Sequence, residues 1–131
     1  MMISKVEIEK IGKQIVHSAF EVHTELGPGL LESVYEICLY EELTSRNMLV
    51  ERQVQIPVFY KGKPVHKDFF IDLLVEKSII IELKAVEMLL PVHEVQLLTY
   101  MKLANIQLGY LINFNVSLIK QGIKRKINGY F

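Results

Sequence analysis

The segment from Phe69 to Ala85, F-F-I-D-L-L-V-E-K-S-I-I-I-E-L-K-A, most constrains what this chain can fold into. Two runs of apolar, β-favouring residues, Phe69–Val75 and Ile79–Ala85, flank the polar triplet Glu76, Lys77 and Ser78. That is the pattern of a tight hairpin with largely buried strands. Asp72, Glu82 and Lys84 sit inside these runs. Charged side chains are rarely buried without a partner or a metal, because desolvating a lone charge costs more than a packed strand returns. Side chains alternate along a strand, so Glu82 and Lys84 share a face. A three-residue loop pairs Val75 with Ile79 and sets Asp72 opposite Glu82, bringing two carboxylates within reach of one divalent cation. A purely structural use of these groups is a buried Asp72–Lys84 salt bridge, with Glu82 left at an exposed strand end.

Magnesium suits two carboxylates, since it keeps several waters and leaves positions for phosphate oxygens. Lys84 then orients an attacking water or meets the charge that builds on a phosphate. The spacing Asp-x9-Glu-x-Lys resembles the PD-(D/E)xK nuclease signature, with Ile71 where that motif often has proline.

The 131 residues, half of them hydrophobic, suit a single domain over 1–131. Fifteen basic and fifteen acidic residues cancel, so any phosphate contacts come from local clusters. The lone Cys38 excludes an internal disulfide and a cysteine-based zinc cluster, and reads as a small buried hydrophobe on a helix. No apolar run approaches the length that crosses a bilayer, and the first residues lack the basic-then-apolar order of a signal peptide. A soluble, cytoplasmic protein is expected.

Ser4 with Glu7 is a capping-box pattern, and apolar residues at helical spacing follow to Leu26. Gly27, Pro28 and Gly29 stop that helix. Leu31, Val34 and Cys38 lead a second one ending near Asn47. Val50, Val54 and Ile56 alternate with polar residues as one face of a half-buried strand, Arg52 being the exception. Lys61, Gly62 and Lys63 mark a turn into the central hairpin, where Lys61, Lys63, His66 and Lys67 form a small basic group, more often solvated than functional. Pro91 opens a helix to Asn105 with His93, Gln96 and Tyr100 on one side and Val95, Leu97, Leu98 and Met101 on the packing side. Ile106–Phe114 reads as a buried strand with Gly109 a close-approach point. The end, with Lys124, Arg125 and Lys126, reads as a charged edge strand offering cations to a backbone.

The stretch V-H-T-E-L-G-P-G-L-L-E-S-V-Y, Val22 to Tyr35, resembles the signature of the GxxExxY protein family through Gly29, Glu32 and Tyr35. That family is placed in the PD-(D/E)xK superfamily, and the resemblance covers nearly the whole chain. Gln96-x3-Tyr100 likewise resembles the Q-x3-Y element of exonuclease-like branches. The resemblance implies an α/β (α+β) fold with a restriction-endonuclease-like core, a mixed β-sheet flanked by helices in αβββαβ order. It implies a Mg2+ or Mn2+ nuclease in which Asp72, Glu82 and Glu32 hold metal and Lys84 serves the water or the transition state. Gln96, Tyr100, Tyr35 and His93 then position nucleic acid, with DNA favoured over RNA. On spacing alone, Glu32 is an acid favoured in a first helical turn.

A second reading is a non-catalytic nucleic-acid-binding or assembly module that keeps the fold. A small metabolic enzyme finds no glycine-rich phosphate loop or nucleophile elbow in this chain. A homodimer is expected of an aliphatic-rich chain too small to enclose a duplex alone.

Overall fold

The computed structural model describes residues 3–131. Helix α1 (Lys5–Leu26) begins where the Ser4 hydroxyl accepts from the Glu7 amide at 3.2 Å, satisfying one donor that a first turn leaves open. It ends at Gly27, whose φ of 65° favours glycine, and Pro28 bars continuation. Helix α2 (Glu32–Ser45) follows, and the chain leaves it through Asn47 in the left-handed conformation. Tyr35, Leu39 and Leu43, all fully buried, pack with Ile15, Ala19 and Val22 of α1. The inward face therefore lies one position beyond the expected one. Leu31 is exposed and Val34 and Cys38 are half-buried, because Tyr35 rather than Val34 seats in the core.

The remaining elements are β1 (Val50–Ile56), a small hairpin of β2 (Phe59–Tyr60) and β3 (Lys63–Pro64), β4 (Phe69–Val75), β5 (Ile79–Lys84), α3 (Pro91–Ala104), β6 (Leu108–Asn113), α4 (Ile119–Gly122) and β7 (Ile123–Ile127). Five strands form one sheet in the order β1-β4-β5-β6-β7. Among the described residues only β5 and β6 run parallel, and a parallel pair needs a crossover, which α3 provides. The fold is α+β, a mixed sheet flanked by helices. The expected αβββαβ order is read off α2, β1, β4, β5, α3 and β6.

Two apolar layers clamp the sheet. Leu73, Val75, Ile79, Ile81 and Leu83 face α1 and α2, while Leu74, Ile80 and Leu111 meet Leu97 and Met101 of α3. The strands are thus covered on both sides, which explains their nearly unbroken apolar runs. Burying each such side chain is worth about 1.5–3 kcal/mol, so the isoleucines and leucine of β5 together hold that strand in place even with an acid set among them. Gly109 is a close-approach point as expected: a Cβ there would meet Met101 Sδ at 2.8 Å. On α3 the packing side is Leu97 and Met101 with Leu98 beside them, whereas Val95, expected to pack, is 58 % exposed.

Candidate active site

Strands β4 and β5 keep the expected register, Val75 with Ile79, Leu74 with Ile80 and Leu73 with Ile81. Past Leu73 and Ile81 the backbone pairing stops and carboxylates take its place. Glu82 Oε1 accepts from the Asp72 amide at 3.1 Å, and Asp72 Oδ2 accepts from the Leu83 amide at 2.8 Å. Backbone amides away from water need acceptors, and here each strand's acid serves the other strand. The two carboxylates are thereby locked together at the mouth of a fork, Glu82 buried and Asp72 half-buried.

This closeness has an electrostatic cost. Burial, and then the charge of Asp72, push the Glu82 carboxyl up to about 9, against the pull of the Asp72 amide and of Lys84. Lys84, half-buried at the end of β5, forms no ion pair among the described residues. The purely structural Asp72–Lys84 salt bridge is therefore not made. Glu32 opens α2 and keeps solvent access, yet partial burial, then Asp72, raise its carboxyl while Lys84 pulls it down. The first turn of α2 thus lies in the field of the fork.

Two juxtaposed carboxylates with no paired cation need a proton or a metal, and hard oxygen donors of this kind suit Mg2+ or Mn2+. The donor set fits such an ion at Asp72 and Glu82. Among the described residues, however, no three of His, Cys, Asp and Glu gather into a group that would hold a metal. The fold presents a carboxylate pair and not a closed three-acid shell with Glu32.

Residues that the sequence reading passed over hold Asp72 from the other side. Gln53 Nε2 donates to Asp72 Oδ1 at 3.3 Å and to Glu36 Oε1 at 2.6 Å. Glu36, 8 % exposed, also accepts from Arg52 Nη2 at 3.1 Å. Gln53 adopts φ 51°, a left-handed conformation that residues with a Cβ seldom take. At this point alternation inverts in both strands. Val50, Leu73 and Val75 belong to the layer under α1 and α2, but Val54, Ile56 and Ile71 belong to the layer under α3. The expectation that Val50, Val54 and Ile56 share one face is corrected accordingly. The signal was present as polar Gln53 and Asp72 in strands of otherwise apolar rhythm, but nothing local marks the inversion. Asn113 was also missed. Buried at the end of β6, it bonds both backbone groups of Val86 and so fixes the chain leaving Lys84.

The other expected residues divide. Tyr100 is half-buried, and its hydroxyl is raised by burial and then by the charges of Glu82 and Asp72, so it neighbours the fork. Gln96, one turn earlier, is exposed. His93 Nδ1 accepts from the Leu90 amide at 3.0 Å, so the ring caps α3 and is not free to serve a substrate through that nitrogen. Tyr35 does not face a substrate. It is fully buried, stacked on Phe114 at 4.6 Å, and its hydroxyl donates to Gly27 O at 2.6 Å while accepting from Leu30 N. It clamps the glycine-proline turn between α1 and α2.

The family model of the PD-(D/E)XK nuclease superfamily matches residues 9–126. The chain belongs to the PD-(D/E)XK nuclease superfamily. Its α+β sheet is accordingly the restriction-endonuclease-like core, and a nuclease-type function on nucleic acid follows in general. PD-(D/E)XK nucleases generally use divalent metals such as Mg2+. No curated protein and no solved structure gives a significant match. Among the described residues no helix is long and apolar enough to cross a membrane.

Proposed function

We propose that this protein is a Mg2+- or Mn2+-dependent nuclease of the GxxExxY branch, hydrolysing phosphodiester bonds at the Asp72–Glu82 fork. The carrying observation is the reciprocal bonding of the two acids across β4 and β5, with Lys84 beside them and in no ion pair among the described residues. Asp72 and Glu82 hold the metal, which when bound neutralises their charge and polarises a phosphate oxygen. Glu32 acts on this site from α2 through a water. The Lys84 ammonium orients the attacking water or meets charge developing on the phosphate. Gln96 and Tyr100 position the substrate strand. The substrate is DNA ahead of RNA, and the enzyme works in the cytoplasm as a homodimer. Cleavage assays with Mg2+ or Mn2+ on single- and double-stranded DNA and RNA test the assignment. Asp72→Ala and Lys84→Ala each lower the rate by on the order of 10²–10³-fold; equal rates for all three proteins would refute it.

One observation favours a second reading, a binding module without turnover: no third ligand closes around the acid pair among the described residues. Calorimetric titration with Mg2+ separates the two. A nuclease shows binding that Asp72→Ala removes, whereas a module shows none.

A further inference from the structure

The chain from the end of β1 into the first residues of β4 exposes apolar surface in an unusual way. Phe59 and Tyr60 are 59 % and 67 % exposed, and Phe69 and Phe70 are 41 % and 50 % exposed. A third of the chain's phenylalanines and tyrosines thus stand in one short arm, open to solvent. Large aromatic faces left in water are costly unless something covers them. Lysines are interleaved with them: Lys61, Lys63 and Lys67 are all exposed, and the one acid in the arm, Asp68, is bonded by Gln55. On a chain of zero net charge this is a local cationic surplus. Two of the three cations of β7 differ, since Arg125 and Lys126 are spent on Glu9 and Glu94.

The arm is rooted beside the fork. Its base is the Ile56–Phe69 pair, three residues before Asp72, and the Phe69 ring lies 5.1 Å from that of Tyr100 at a 43° tilt. The Lys61 ammonium sits 5.4 Å from the centre of the Tyr60 ring, so charge and aromatic face are offered together. A second copy of the arm is a poor occupant, because an isologous contact sets lysines against lysines. A duplex is also a poor one, because its base faces are already covered by stacking. Unpaired bases on a phosphate chain match both features.

We propose that residues 57–70 form a single-strand holder, in which Lys61 and Lys63 engage phosphates and Tyr60 and Phe69 stack unpaired bases. The substrate class of the fork is then single-stranded nucleic acid. The inference rests on the nuclease reading for what happens next, but not for binding. The test is fluorescence anisotropy in EDTA, where no cleavage occurs, with a labelled oligodeoxythymidylate and the same strand paired to its complement. The single strand binds about tenfold tighter than the duplex, and Tyr60→Ala and Phe69→Ala each remove about tenfold of the single-strand affinity while leaving the duplex affinity unchanged. Lys61→Ala and Lys63→Ala each reduce the slope of log affinity against log salt by about 0.7. Tyr60 is so exposed that its variant keeps the fold, which circular dichroism checks. Equal affinity for both probes overturns the inference. So does a Tyr60→Ala protein that binds like wild type but falls from dimer to monomer in light scattering. Single-strand preference without cleavage in Mg2+ would sink the proposed chemistry and leave the holder standing.

Discussion

The two ends of the β4–β5 hairpin are made from the same two strands and put to opposite uses. At the turn end, Val75 with Ile79 and Leu74 with Ile80 continue a regular ladder, all four side chains buried between helices. At the open end, Asp72 and Glu82 replace the ladder with carboxylate-to-amide bonds, and one of them is a buried acid held at about 9. The difference shows how a small domain affords a site that opposes folding. The closed end over-determines the register, so the open end can hold two acid groups together even though burial and the charge of Asp72 favour the protonated form of Glu82.

The contrast breaks most visibly at Ile80, fully buried with Leu97 and Met101 in the layer under α3. Ile80→Ala costs about 2–5 kcal/mol by cavity formation, seen as a lower urea midpoint with an unchanged slope. A loss below about 1 kcal/mol would mean that the closed end does not carry the hairpin.

Glu82→Gln sharpens the contrast from the other end, and its sign is opposite. The carboxyl binds its proton more tightly in the folded chain, about 9 against an ordinary 4.5. Metal-free stability is therefore full below about 4.5 and falls as pH rises toward 9. The glutamine variant lacks that slope and is more stable in EDTA at pH 8, by on the order of 1–3 kcal/mol, while Mg2+ no longer stabilises it. Thermal melts across pH in EDTA and in Mg2+ measure both; parallel pH profiles for variant and wild type would contradict the buried acid.

The smallest effect is expected at Gln53, which touches only the edge of the fork. Gln53→Ala frees one oxygen of Asp72 and one of Glu36, lowering metal affinity and cleavage about tenfold with a melting temperature near that of wild type. An unchanged metal affinity would make Gln53 a bystander.

Much of this arrangement is legible in the chain before any coordinates. The hairpin register follows from a three-residue loop, and strand alternation puts Glu82 and Lys84 on one face, because both rest on local geometry. Gly109 is legible for the same reason. What escapes is decided by distant partners. Whether Tyr35 faces a substrate or the core depends on Phe114 and on the Gly27 carbonyl, neither of which a helical period reveals. His93 reads as a polar face residue until the Leu90 amide claims its ring. The Glu36, Arg52 and Gln53 network joins a helix to a strand, and its key residue takes a backbone conformation that no glycine announces.

The change of side at Gln53 and Asp72 divides the allegiance of β1 and β4. Their stems answer to α1 and α2, while their tips, with Ile56, Ile71 and the Phe69–Tyr100 contact, answer to α3. Any displacement of α3 would therefore be felt first at these tips, beside the carboxylate pair, and only afterwards at the stems.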